Sequence, residues 1–347
     1  MSMKAVWKTK GEMGLEVKDA VVPKPKDDEV LIKVKATSIC GTDIHIYKWD
    51  EWAANRIGKN IPYIFGHEVS GEVVEVGANV KGISIGDHVS AETHISCGYC
   101  FQCKTGNEHI CENVRILGVD VNGTFAEYLA LNYRNAWVND KKIPHAVASM
   151  QEPIGNAVHT VFDGEVAGKT VTVIGMGPIG VCAVGLAKAA GAEKVIAVGR
   201  HENRLNFARD FGADLLINGK EDGIDVQKEI MDATDGKGAD VFLEMAGSPS
   251  SFNDGIKTLR PGGRASILGV FSKPFEVDMS DIVFRAAKVN GINGRRMFDT
   301  WYKTKAFLGS GKIPFEKLIT HKFRLSEIEQ GFDVLLKREG MKVVLEP

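Results

Sequence analysis

The chain has 347 residues, 44% hydrophobic and 25% charged, with a formal net charge of -2. That length and balance allow about two domains with ordinary cores. They give no electrostatic basis for holding nucleic acid or an anionic membrane surface. No segment approaches the roughly 20 apolar residues of a membrane span. The opening stretch from Met1 to Trp7 lacks a signal peptide's apolar core, so a cytoplasmic location is expected.

The first part of the chain reads as β-rich. Val30–Lys35 alternates apolar and polar residues, as a half-buried strand does. Gly71–Gly77 is a strand held between glycines, and Gly123–Ala130 reads as another. Closely spaced turn signals favour a small barrel over a helical bundle. Within this region Cys97, Cys100, Cys103 and Cys111 crowd together, four of the six cysteines in the chain. In a cytosolic protein of this size that clustering indicates metal rather than disulfides. Four thiolates enclose a tetrahedral zinc and leave no open position, so such a site is structural. An iron–sulfur cluster is the alternative, but the last gap is longer than the ferredoxin-like pattern and no proline follows Cys111.

Near residue 165 the pattern changes. Val171–Ile174 suits a strand buried on both faces. A glycine-rich turn follows, then a predicted helix from Ile179 to Ala190. Further strands are predicted at Lys194–Val198, Leu215–Ile217, Val241–Met245 and Arg264–Leu268, with helices at Asn203–Phe211 and Val226–Ala233 and another before the last strand. Alternating strands and helices make parallel βαβ units in a doubly wound sheet. Beyond about residue 295 a helix is expected near Trp301–Leu308 and a final strand at Lys342–Leu345.

Gly175-Met176-Gly177-Pro178-Ile179-Gly180 follows a buried strand and opens a helix. In that context the motif points to a dinucleotide. Its glycines allow a tight turn, approach of backbone to pyrophosphate, and close helix–strand packing. A second metal centre must come from elsewhere. Cys40, followed by Thr42 and His45, and the pair His67-Glu68 are the candidates, because thiolate, imidazole and carboxylate suit a zinc that keeps one position open. Taken singly, Cys40 and His67 read more readily as buried core residues than as ligands. Glu152, in Gln151-Glu152-Pro153, is an additional carboxylate, or a charge favoured at a helix start.

Together these features resemble the zinc-dependent medium-chain dehydrogenases over essentially the whole chain. The resemblance implies a GroES-like β-barrel catalytic domain from residues 1–152 and 296–347, with a structural zinc lobe at about 94–113. It implies a Rossmann dinucleotide-binding domain at 153–295. Cys40–Trp52, Gly155–Thr160 and Gly294–Tyr302 resemble segments of the threonine-dehydrogenase branch of that family.

Carried over position by position, the likeness makes Cys40, His67 and Glu68 ligands of a catalytic zinc and places Glu152 near the metal. It makes Thr42 and His45 a proton relay, and His94 a position affecting substrate specificity. The expected cofactor contacts are Gly175, Gly177, Ile179 and Gly180 in the turn, and Gly199, Arg200 and Arg204 after the second strand. Leu268, Gly269, Val270, Ile292 and Asn293 complete them. The expected activity is oxidation of a secondary alcohol, with two zinc ions per chain and NADP or NAD. The expected substrate is a small amino alcohol, threonine, and the expected assembly a homotetramer. A polyol or 2,3-butanediol dehydrogenase is the nearest alternative. A non-catalytic protein that binds zinc and dinucleotide is an alternative of another class. Where the branch has an acid after the second strand, this chain has Gly199 followed by Arg200. Loss of that acid and gain of a guanidinium favour a 2′-phosphate, hence NADP.

Overall fold

The computed structural model describes residues 1–347. Contacts within it divide the chain into two compact units, Met1–Glu152 with Leu318–Pro347, and Pro153–Lys317.

The first unit is built on a seven-stranded sheet. Its order is Ala136–Val138, His88–Ala91, Glu68–Val76, Glu29–Ser38, Lys342–Glu346 and Ile319–Arg324, with Tyr128–Asn132 also paired to Glu29–Ser38. The predicted strands at residues 30 and 71 lie inside Glu29–Ser38 and Glu68–Val76. The one expected at Gly123–Ala130 begins only at Tyr128. Before it, the backbone runs irregularly against residues 64–66: the N–H groups of Gly123, Thr124 and Phe125 bond to the carbonyls of Ile64, Gly66 and Phe65. A side chain at Gly123 would meet the Gly66 carbonyl at 2.0 Å, which is why glycine stands there.

Helix α1, Gly41–Lys48, buries Asp43, Ile46 and Tyr47. Tyr47 stacks on Phe332 with ring centroids 4.4 Å apart, and Phe65 meets Phe125 edge-on at 5.1 Å. Each fully buried side chain of this size contributes about 1.5–3 kcal/mol. That anchoring leaves Thr42 and His45, three residues apart, on the accessible side of α1. Helix α2, Glu51–Ile57, follows after a sharp turn.

The second unit is a six-stranded parallel sheet in the order Leu215–Asn218, Lys194–Gly199, Thr170–Ile174, Ala239–Glu244, Leu259–Ile267 and Lys288–Gly291. This is the doubly wound strand order of dinucleotide-binding sheets. The strand at Lys288–Gly291 and the helix at Met279–Phe284 have no counterpart in the sequence reading. Both are short and largely exposed: Lys288–Gly291 carries one large apolar residue, and Met279–Phe284 is too short at six residues to show a helical stripe. The return to the first unit falls at Leu318, whereas the sequence reading set it at residue 296. Residues 299–317 pack with the second unit. Phe307 stacks on Phe162, Phe315 meets Phe211 edge-on, and Lys317 pairs with Asp210 at 2.9 Å.

Candidate metal centres and cofactor site

The four-cysteine lobe is local in sequence and held by short elements. Cys100 caps the helix Phe101–Lys104, and the 3-10 turn Glu108–Ile110 delivers Cys111. Sulfur separations are 3.5 Å for Cys100–Cys103, 3.8 Å for Cys100–Cys111 and 4.0 Å for Cys97–Cys103. A tetrahedron of thiolates at the usual zinc–sulfur bond length has edges of about 3.8 Å. Backbone N–H groups of Cys97, Cys100 and Asn113 point at these sulfurs. Burial would raise the Cys97 thiol, but the N–H groups of Tyr99 and Cys100 outweigh it and bring it down to about 6. Burial and the Cys100 thiol push Cys103 up to about 12. Four thiols this close ionise together only around a cation, so the donor set and its spacing fit zinc.

Cys40, His67 and Glu68 come together although 27 residues of sequence separate the first two, and their ligand atoms all lie within 4.8 Å of one another. Cys40 caps α1, and His67-Glu68 enter the strand Glu68–Val76. His67 and Glu68 are buried. Burial opposes a charge on His67, yet Asp43 and Cys40 outweigh it and hold the imidazole well above its ordinary range. An excess of negative donors that draws a proton to a buried ring is the electrostatic setting of a cation site, and this set also fits zinc.

Asp43 is a functional residue the sequence reading missed. Its Oδ2 accepts from the Cys40 N–H at 2.9 Å, and its Oδ1 lies 3.4 Å from Nδ1 of His67. Neither of those two facing atoms has a hydrogen-bond partner, so Asp43 stands where a carboxylate orients a ligating imidazole. Lys342 is a second omission. Its buried ammonium meets both oxygens of Glu68, at 2.5 and 2.6 Å, and the Ile39 carbonyl at 3.1 Å. Ser38 donates to the same carboxylate. Burial raises the Glu68 carboxyl above its ordinary value, and Lys342 opposes that.

Glu152 is buried and lies outside the ligand-distance group, but its charge also acts on Glu68 and Lys342. His94 is buried and fixed by Glu92, whose Oε1 meets both its backbone N–H at 2.8 Å and its Nδ1 at 3.1 Å.

In the second unit the glycine motif follows the strand Thr170–Ile174. Gly175 has φ of +113°, and a Cβ there would meet the backbone at Ala246 at 2.7 Å. A Cβ at Gly180 would lie 1.8 Å from the Gly175 carbonyl, so the helix can sit on the turn only with glycine. At Gly177, which caps the helix Pro178–Ala189, no atom lies within 4 Å of an added Cβ, leaving room for a phosphate. Ile179 is in the first turn of that helix. Gly199 ends the next strand; Arg200 is exposed and Arg204 half-buried in the first turn of Glu202–Asp210. Leu268 and Gly269 donate to the Glu244 carbonyl, Val270 is exposed, and Ile292 donates to Ile267, with Asn293 exposed beside it. All these residues follow the carboxyl ends of parallel strands, the edge where such sheets take ligands. Glu244 escaped the sequence reading. Its buried Oε1 accepts from Ala246, Gly247 and Ser251, tying down the loop after its strand.

Comparison with known proteins gives the same picture. Residues 26–141 match the alcohol dehydrogenase GroES-like domain, and residues 178–310 match the zinc-binding dehydrogenase family. An L-threonine 3-dehydrogenase of Pyrococcus furiosus is 49% identical over 344 residues, 99% of this chain and 98% of that protein. Among solved structures, a protein of Sinorhizobium meliloti described as a zinc-binding dehydrogenase and bound to NADP superposes with a TM-score of 0.91 at 29% identity, over all of both chains. The 2R,3R-butanediol dehydrogenase of Bacillus subtilis superposes with a TM-score of 0.90 at 30% identity, over 99% of each chain.

Proposed function

Because this chain belongs to the zinc-dependent alcohol dehydrogenase family, we propose that it oxidises the secondary hydroxyl of L-threonine to 2-amino-3-oxobutanoate, with NADP+ preferred to NAD+ and two zinc ions per chain. The observation that carries the substrate is the likeness to threonine enzymes across nearly the whole chain, much nearer than that to the butanediol enzyme.

Cys40, His67 and Glu68 would hold the catalytic ion, with Glu152 close by, and the four cysteines the structural one. When bound, zinc supplies Lewis-acid polarisation of the hydroxyl and the nicotinamide accepts hydride. The residues of the chain manage the proton. Thr42 takes the hydroxyl proton and passes its own to His45, an exposed imidazole that can release it to water. Loss of one proton and one hydride from the carbinol leaves the ketone. His94, held rigidly by Glu92, is assigned to substrate specificity.

The cofactor preference rests on the end of the strand Lys194–Gly199, where Gly199 carries no carboxylate to repel a 2′-phosphate and Arg200 offers a planar donor fork. We expect kcat/KM for NADP+ to exceed that for NAD+ by about tenfold or more, near 1.4 kcal/mol. Gly199→Asp combined with Arg200→Ala should reverse it. An added Cβ at Gly199 would lie 3.1 Å from the Leu205 and Met176 side chains, so the acid fits once these yield by a few tenths of an ångström. A wild-type ratio favouring NAD+ would overturn this assignment.

The substrate is tested by turnover of L-threonine, L-serine, 2,3-butanediol and sorbitol. Threonine should lead, and serine should be poor, since the missing methyl removes a contact worth about 1–3 kcal/mol. Preference for a diol or polyol would move the protein to another branch of the family. A single zinc per chain would favour a dinucleotide-binding protein without catalysis.

A cytoplasmic homotetramer completes the reading. All six cysteines are free thiols, and no helix is long and apolar enough to cross a membrane. Val283 and Phe284 are 66% and 87% exposed, apolar surface of the kind that copies cover when they associate.

A further inference from the structure

Asp50 caps α2, its Oδ1 accepting from the Ala53 N–H at 3.1 Å. The cap uses one carboxylate oxygen. The other, Oδ2, is hydrogen-bonded to Nδ1 of His45. The chain is shaped to bring them together. Trp49 ends α1 in the left-handed conformation, with φ of 54°, and turns the backbone so that the Asp50 N–H reaches the His45 carbonyl at 3.4 Å. Lys8 secures that turn. Its ammonium donates to the carbonyls of Tyr47 and Gly14, at 3.2 and 2.9 Å, and stands 5.1 Å from the centre of the Trp49 ring.

Trp52 of α2 covers the His45 ring edge-on, with centroids 6.0 Å apart. Of the other charged groups nearby in sequence, Lys48 on α1 and Glu51 on α2 are exposed, and Asp50 is the one bonded to the ring. Burial works against the Asp50 carboxylate, but the His45 imidazole and the Ala53 N–H outweigh it and hold Asp50 below its ordinary range. An exposed ion pair of this kind adds little stability. Its directional effect is larger: a carboxylate on Nδ1 makes that nitrogen the donor and leaves Nε2 as the basic one.

We propose that Asp50 is a positioning residue for proton transfer, fixing His45 as the Nδ1–H tautomer so that Nε2 accepts the proton relayed by Thr42. The proposal rests on the reading of His45 as the proton acceptor. The substrate O–H bond breaks and its proton moves to Thr42 Oγ, the Thr42 proton forms an N–H bond at Nε2, and the carbinol C–H bond breaks with its hydride accepted by the nicotinamide. Asp50 balances the imidazolium charge until His45 returns the proton to solvent.

The test is Asp50→Asn in the full-length, zinc-loaded enzyme. Asparagine keeps the α2 cap and the side-chain size but not the charge. The single-turnover rate of cofactor reduction with threonine should fall about 10–100-fold, with threonine affinity changed by less than about threefold. The pH profile of that rate should change as well, because the imidazolium loses its counter-charge. Asp50→Glu should recover part of the rate. In a His45→Ala background, Asp50→Asn should change nothing further. Unchanged rate and pH profile in Asp50→Asn, with His45→Ala impaired, would overturn the proposal and leave the relay standing. An equal loss in both backgrounds would assign Asp50 to structure alone and also overturn it. Full activity of His45→Ala would remove the relay itself.

Discussion

Replacing Cys40 with serine is expected to abolish turnover while leaving the fold and the four-cysteine zinc in place. The centre holds three ligand atoms within 4.8 Å, so losing a thiolate removes one of few holders. A serine hydroxyl stays protonated near neutral pH and binds zinc far more weakly. The substitution spares the helix, since Cys40 is the N-cap of α1 and serine is a good residue for that position. The backbone N–H at position 40 keeps its bond to Asp43. We expect kcat/KM to drop by about 10³ or more, on the order of 4 kcal/mol of transition-state stabilisation. Metal analysis should find one zinc where the parent has two, with an unchanged thermal midpoint for the lobe. Near-parental turnover in a zinc-loaded variant would show that the chemistry lies elsewhere.

Cys103→Ser should do the reverse. Its sulfur is buried among three others, at 3.5 Å from Cys100 and 4.0 Å from Cys97. The lobe between Cys97 and Cys111 has little regular structure, one four-residue helix and one three-residue turn, to hold it without metal. Metal affinity there is folding free energy. We expect loss of one zinc and destabilisation on the order of 3 kcal/mol, roughly 6–12 °C in Tm. Turnover per remaining zinc, measured well below the transition, should stay within a few-fold. Calorimetry and zinc analysis on the same sample check this. A variant with its parental Tm and both zincs would refute a structural role.

What the sequence disclosed follows from how local each feature is. The four cysteines span residues 97–111, and the glycine turn sits between a strand ending at Ile174 and a helix starting at Pro178. Spacing alone carries their geometry. Cys40 and His67 could be paired only by the chemistry they offer, thiolate and imidazole for an open zinc, because no spacing rule links a helix cap to a residue 27 positions further on. Lys342 could not be found at all. It lies 274 residues from Glu68 and reads as an ordinary residue at a strand start. Asp43 and Asp50 were hidden differently, since each is also what a helix start prefers. The strand at Lys288–Gly291 was missed because three of its four residues are exposed, so it lacks the buried apolar run that marked its neighbours.

The order in which the chain is synthesised has a consequence for the first unit. Residues 1–152 emerge before the strands Ile319–Arg324 and Lys342–Glu346 that complete their sheet. Early on, the Glu29–Ser38 strand is paired with Glu68–Val76 along one side and, over residues 29–33, with Tyr128–Asn132 on the other, but the rest of that second side, where Thr37 and Ser38 meet residues 345 and 344, must wait. The second unit is continuous and can close as soon as residue 317 is available. Until Lys342 arrives, Glu68 has no ammonium against it in a site built to exclude water. The ribosome-bound intermediate therefore carries both a finished nucleotide-type sheet and a half-made metal centre with an incompletely paired strand edge. That edge is where chaperone engagement or premature strand pairing between nascent chains would begin.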